Sequence, residues 1–89
     1  MRLPKLVEFK ARQLGRLYDL ERRLLERYPD RVERIKYIVD LIANKTYSLK
    51  THSLPDYLHT LLLARREFPE FEELIPPHQE VEELLEGDE

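Results

Sequence analysis

PKLVEFKARQLGRLYDLERRLLER, residues 4–27, is the stretch whose reading decides the architecture. Val7, Ala11, Leu14, Tyr18 and Leu25, continued by Tyr28, recur at the three-and-four spacing of a helix face. Leu3, Leu6, Leu17, Leu20 and Leu24 lie alongside them. Pro4 at the first helical position sacrifices no hydrogen bond, because the amide it lacks would be unpaired there. At about 100° per residue the apolar sector covers about half of the circumference, wider than the narrow seam of a coiled coil. Such a helix needs more than one neighbour.

Downstream, Tyr28-Pro29-Asp30 ends this helix, since proline cannot donate to the ladder and disfavours helical geometry in the residue before it. Asp30 reads as the N-cap of a second helix, with Glu33 three residues on. Val32, Ile35, Ile38, Val39, Ile42 and Ala43 form its stripe; Tyr37 and Tyr47 fall off it. The helix ends at Asn44 or runs on to Leu49, and Thr46 to Ser53 reads as fraying helix followed by loop. Ser53-Leu54-Pro55-Asp56 offers a Ser N-cap and a first-turn proline. It starts a third helix, about Leu54 to Glu67, with Leu54, Tyr57, Leu58, Leu61, Leu62 and Phe68 inward and Leu63 on the flank. Glu70 to Ile75 is at most a short turn. His78 to Glu86 makes a last short helix, with Val81, Leu84 and Leu85 on one face and Gly87 as its stop.

No segment alternates with period two, so the expected fold is all-α: a small helical bundle of three main helices plus a short acidic C-terminal helical segment. The 89 residues suffice for one domain. Within it, residues 1–69 form the bundle core and residues 70–89 an acidic, Pro-interrupted C-terminal segment. The absence of cysteine excludes disulfides and thiolate chemistry.

Charged residues make up 37% of the chain, against roughly 25% in ordinary domains, and they are unevenly divided. Residues 1–50 hold 13 Lys/Arg and 7 Asp/Glu; residues 51–89 hold 2 and 11. Scarcity of Asn, Gln, Met and Cys beside abundant Arg and Glu is a thermophile-like composition. No apolar run is long enough to span a bilayer, and the first residues lack the pattern of a secretory signal, so a cytoplasmic protein with no membrane partner is expected.

Lys5, Arg12, Arg16, Arg23 and Arg27 fall on one side of the first helix, where a row of guanidinium groups can track a phosphate backbone. Acids at pairing distance, Glu8, Asp19 and Glu26, lower its potential. Most Tyr and Phe residues lie on the apolar stripes, away from this row. The nine acids of the segment 70–89 stand without a single base. Its apolar residues Phe71, Leu74, Ile75, Val81, Leu84 and Leu85 favour docking over disorder, onto the same chain or a second copy, and acids docked on the Arg row would compete with a polyanion. His52, His59 and His78 lack the spacing of a helical metal site, and Ser48 and Ser53 read as turn and cap residues. No catalytic residue, metal, cofactor or small-molecule substrate is therefore expected.

The run Glu33-Arg34-Ile35-Lys36-Tyr37-Ile38-Val39-Asp40-Leu41, followed by Lys45 and by Leu54 to Phe68, resembles the helical region of archaeal GINS replication-complex subunits. The chain is shorter than those two-domain subunits, and the likeness assigns no residue role. It implies a nucleic-acid-machinery setting.

The expected function is that of a non-catalytic protein–protein interaction module or small accessory subunit, which self-associates or joins a hetero-complex. The reason is surplus apolar surface on the first helix, with Leu14, Leu17, Tyr18, Leu24 and Leu25 as anchors. The alternative is a nucleic-acid-associated protein that uses Lys5, Arg12, Arg16, Arg23 and Arg27, masked by the acidic segment.

Overall fold

A computed structural model describes residues 5–87, whose regular structure is entirely helical. Helix α1 spans Lys5–Arg27, α2 Val32–Tyr47, α3 Leu54–Glu67 and α4 His78–Gly87; 3₁₀ turns occupy Thr51–Ser53 and Pro69–Leu74. The chain is the all-α bundle that its periodicity implies. Leu3 and Pro4 lie outside the described residues.

The α1–α2 connection is a tight reversal. The Tyr28 N–H donates to the Leu24 carbonyl at 2.8 Å and the Arg31 N–H to the Tyr28 carbonyl at 3.0 Å. The two helices therefore run antiparallel, and Lys10 Nζ, donating to the Leu49 carbonyl at 3.1 Å, ties the start of α1 to the end of α2. Helix α3 packs on α2, the Pro69–Leu74 turn packs on α1 and α3, and α4 returns to α1. The core gathers Phe9, Leu17, Leu20 and Leu24 of α1 with Ile35, Ile42, Leu61, Phe68, Phe71 and Leu74. Phe9 meets Tyr57 edge-on at 6.3 Å, and Phe68 meets Phe71 at 6.3 Å.

Several local expectations are corrected. The residues of α1 that face the core are Phe9, Gln13, Leu17, Leu20 and Leu24, not the Val7–Ala11–Leu14–Tyr18 face, which lies on the flank. Asp30 does not cap α2. The Arg31 carbonyl accepts the first helical bond, from the Ile35 N–H, so the helix begins one residue later. Arg31 instead stacks over the Phe68 ring at 4.9 Å. Ser53 stands at the N-cap of α3, but its hydroxyl is taken by Lys50: it accepts from the Lys50 N–H and donates to the Lys50 carbonyl, each at 3.0 Å. The 3₁₀ turn before α3 therefore closes on that serine. Helix α2 continues through Tyr47, and Thr46, read as fraying, is fully buried. Glu70 lies in a six-residue 3₁₀ turn, and Gly87 is the last residue of α4 rather than its stop. Val32, Leu62 and Leu85, read as inward, are exposed.

Three polar side chains meet inside the core. Gln13 Nε2 donates to the Tyr57 hydroxyl at 3.1 Å and to the Leu74 carbonyl at 2.7 Å. The Thr46 hydroxyl donates to the Ile42 carbonyl at 2.7 Å. The Thr46 and Tyr57 hydroxyls lie 3.1 Å apart, and since the single Thr46 proton is already placed, Tyr57 donates across that contact. The chain of donors joins α1, α2, α3 and the 69–74 turn. Gln13→Leu keeps the volume but strips the donor from Leu74 and Tyr57. We expect unfolding in urea to become easier by about 2 kcal/mol, the cost of an orphaned buried carbonyl. An unchanged midpoint would show that the Leu74 carbonyl has another partner.

Candidate protein-interaction face

Apolar residues on α1 form two adjacent seams. The inner one is enclosed: Leu17 is 0% and Leu24 1% exposed. These two expected anchors are committed to the chain's own core and are not available to a partner. The outer seam comprises Val7, Ala11, Leu14, Tyr18 and Leu25. Leu14 and Leu25 are half-buried against the core, whereas Val7 and Tyr18 each remain 46% exposed. Tyr47 of α2, 62% exposed, extends the same surface. Partial desolvation and then the neighbouring Tyr47, with the carboxylates of Glu21 and Asp40, hold the Tyr18 phenol above the ordinary tyrosine range. Tyr18 is thus neutral at physiological pH and presents a ring with a polar tip, the kind of side chain enriched at interfaces.

Beyond the inner seam lies the basic row, and there the acidic segment has docked in cis. Arg12 pairs with Glu80, Arg23 with Glu73 and Arg27 with Glu70. The Arg23–Glu73 contact is a two-pronged fork, at 2.6 and 3.0 Å, and Arg23 also reaches Asp19 at 3.1 Å. The forked guanidinium holds the Glu73 carboxyl below its usual range, and Arg22, followed by Arg23, does the same for Asp19. Tyr28 adds a hydroxyl to Glu70 at 3.0 Å. Phe71, Leu74 and Leu84 are buried beneath these pairs, and Ile75 and Val81 are half-buried. Of the five cations, Lys5 and Arg16 have no carboxylate partner among the described residues. The row is therefore largely neutralised by its own chain, and a polyanion would have to displace three carboxylates to use it.

A second apolar exposure is a shallow groove of about 280 Å³ between α2 and α3, where Tyr37, Leu41 and Leu63 stand over Ile38 and Ala64. Its end is closed by Arg34, which grips Glu67 at 2.6 and 2.8 Å and lies over the Tyr37 ring at 5.4 Å. Arg34 and, less strongly, Arg31 keep the Glu67 carboxyl below its usual range.

His52 and His59 make no ion pair among the described residues, and exposed His78 lies 3.2 Å from Glu82. Among the described residues no three His, Asp or Glu side chains converge as a metal site, and no helix is long and apolar enough to cross a membrane. Sequence reasoning missed Phe9 and Gln13. Phe9 sits one turn from Gln13 on the inner seam, so its spacing to Gln13 and Leu17 was the available signal; Gln13 itself carries a polar side chain that periodicity assigns to solvent. Comparison with protein-family models, with curated proteins and with solved structures gives no match to this chain.

Proposed function

We propose that the chain is a non-catalytic protein–protein interaction module or small accessory subunit, which self-associates or joins a hetero-complex through the outer seam of α1 and the adjoining edge of α2. One observation carries this reading. Helix α1 has one seam committed to its own core and a second that the chain leaves half uncovered, where the large side chains of Val7 and Tyr18, and of Tyr47 on α2, are exposed. Leu14, Tyr18 and Leu25 keep the anchoring role expected of them; Leu17 and Leu24 support the seam from inside. An exposed apolar strip rimmed by charge is the usual mark of a protein contact. The buried polar groups Gln13, Thr46 and Tyr57 bond to one another inside the core, an arrangement that supports a packing role. The polyanion reading has weaker support, because Arg12, Arg23 and Arg27 already face carboxylates.

Tyr18→Asp, which changes an exposed residue and leaves the core untouched, tests the proposal. In sedimentation velocity at micromolar concentration the native chain is expected to run heavier than its 10.8 kDa, or to retain a protein on an affinity matrix, with either property lost in the variant. A native chain that stays monomeric and retains the same proteins as Tyr18→Asp would overturn it.

A further inference from the structure

We infer that the occupant of the outer seam is a second copy of this chain, its α1 packed antiparallel to the first about a two-fold axis near Gly15. The inference rests on the outer seam being an interaction face and adds the partner and the register. Two features of α1 give that register independently.

The first is apolar. Val7, Ala11, Leu14, Tyr18, Glu21 and Leu25 alternate in steps of four and three, the pattern of a helix-pairing seam. An antiparallel pair centred on this seam sets Val7 opposite Leu25 of the second copy and Leu14 opposite its Tyr18. The remaining layer sets small Ala11 against half-buried Glu21, a weak layer at which the larger side chain has room.

Charge supplies the second. Glu8, Gly15 and Arg22 are spaced by sevens and form one ridge beside the seam, on the side away from the core, and all three are exposed. In an antiparallel pair, equivalent flanking positions meet each other. The register set by the apolar layers then puts Glu8 opposite Arg22 of the second copy, twice by symmetry, with Gly15 opposite itself. A parallel pair would instead place the two ridges on opposite sides of the seam, where Glu8 and Arg22 do not meet. Glu8 has no ion-pair partner among the described residues, and Arg22 reaches only the exposed acids of its own helix, Asp19 at 3.0 Å and Glu26 at 3.5 Å. A Cβ on Gly15 would meet nothing within 4 Å, so the fold of the single chain gives no reason for the least helix-favouring residue after proline. Close approach of a second backbone does. The seam runs about 27 Å along the helix. With the Tyr47 edge of α2 it offers roughly 500 Å² per copy, at the low end for specific association. An interface this small is expected to dissociate on dilution.

Glu8→Lys and Arg22→Glu test it through a charge swap. Each single variant places like charges opposite each other twice, and its dimer dissociation constant should rise by about ten-fold or more in sedimentation equilibrium at low salt. Mixed in equal amounts, the two variants should form a heterodimer of near-native affinity. The introduced lysine of one copy then faces the introduced glutamate of the other, and the unchanged Arg22 of the first faces the unchanged Glu8 of the second. Circular dichroism checks that each variant keeps its helix content. Single variants that dimerise as the native chain does, or a mixture that stays dissociated, would overturn the register. A native chain that is monomeric but holds another protein through Tyr18 would overturn the second copy and leave the interaction reading intact. One that does neither would remove both.

Discussion

Leu17→Ala is expected to destabilise the chain by about 3–5 kcal/mol, and Tyr18→Ala, its neighbour on the same helix, by less than about 1 kcal/mol. Leu17 is wholly enclosed in the hydrophobic core, so its loss removes transfer energy and leaves a cavity that the surrounding core closes only in part. Tyr18 keeps nearly half of its surface in water. For a domain of this size each kcal/mol moves the melting temperature by roughly 4–8 °C. Thermal unfolding of the two variants should therefore separate by about 10 °C or more. Their effects on association should be reversed: the Tyr18 variant, though stable, loses it. Equal melting temperatures would mean that α1 is rotated about its axis so that Leu17 is not enclosed.

Phe71→Ala is expected to cost about 3–5 kcal/mol, although the residue lies in the segment richest in acids. Its ring is fully buried, packed edge-on against Phe68, and it holds the turn from which Glu70 and Glu73 reach Arg27 and Arg23. The ion pairs lie at the surface, with only Glu70 partly covered, and surface pairs of this kind are too weak to hold the segment once the aromatic anchor is gone. Loss of stability should thus be accompanied by faster proteolysis between Pro69 and Gly87. A melting temperature unchanged by the substitution would show the segment to be a passive solubilising appendage.

Most of the element boundaries were legible in the sequence because their causes are local. Pro29, Pro55, Pro69 and the Pro76-Pro77 pair each punctuate the chain within a residue or two of an observed boundary. Docking of the acidic segment was also legible, since Phe71, Leu74, Val81 and Leu84 recur too regularly for a solvated run. The caps were less so. Asp30 and Ser53 carry good capping side chains, yet Arg31 is drawn to Phe68 and Glu67, and the Ser53 hydroxyl is satisfied by Lys50. A tertiary partner or a competing local turn outweighed the propensity in each case.

The candidate face was half legible. Surplus girth on α1 could be counted, and that count raised the question of a companion. Which residues make up the surplus could not be counted. With apolar side chains around half of the helix, rotating α1 by about a quarter turn exchanges the two seams at little change in buried apolar character. Leu17 and Leu24 therefore appeared as anchors beside Leu14, Tyr18 and Leu25.

By itself the sequence determined the number of α-helices, most of their limits, and the unequal division of charge between the two ends of the chain, because these depend on backbone chemistry and on spacing along the chain. Only the tertiary structure decided which side of α1 is inside. That choice is made by groups 44 and 61 residues away: the Tyr57 hydroxyl and the Leu74 carbonyl, which take both donors of the Gln13 amide. A buried amide must find such partners or stay out of the core, and no periodicity along the helix records where they stand.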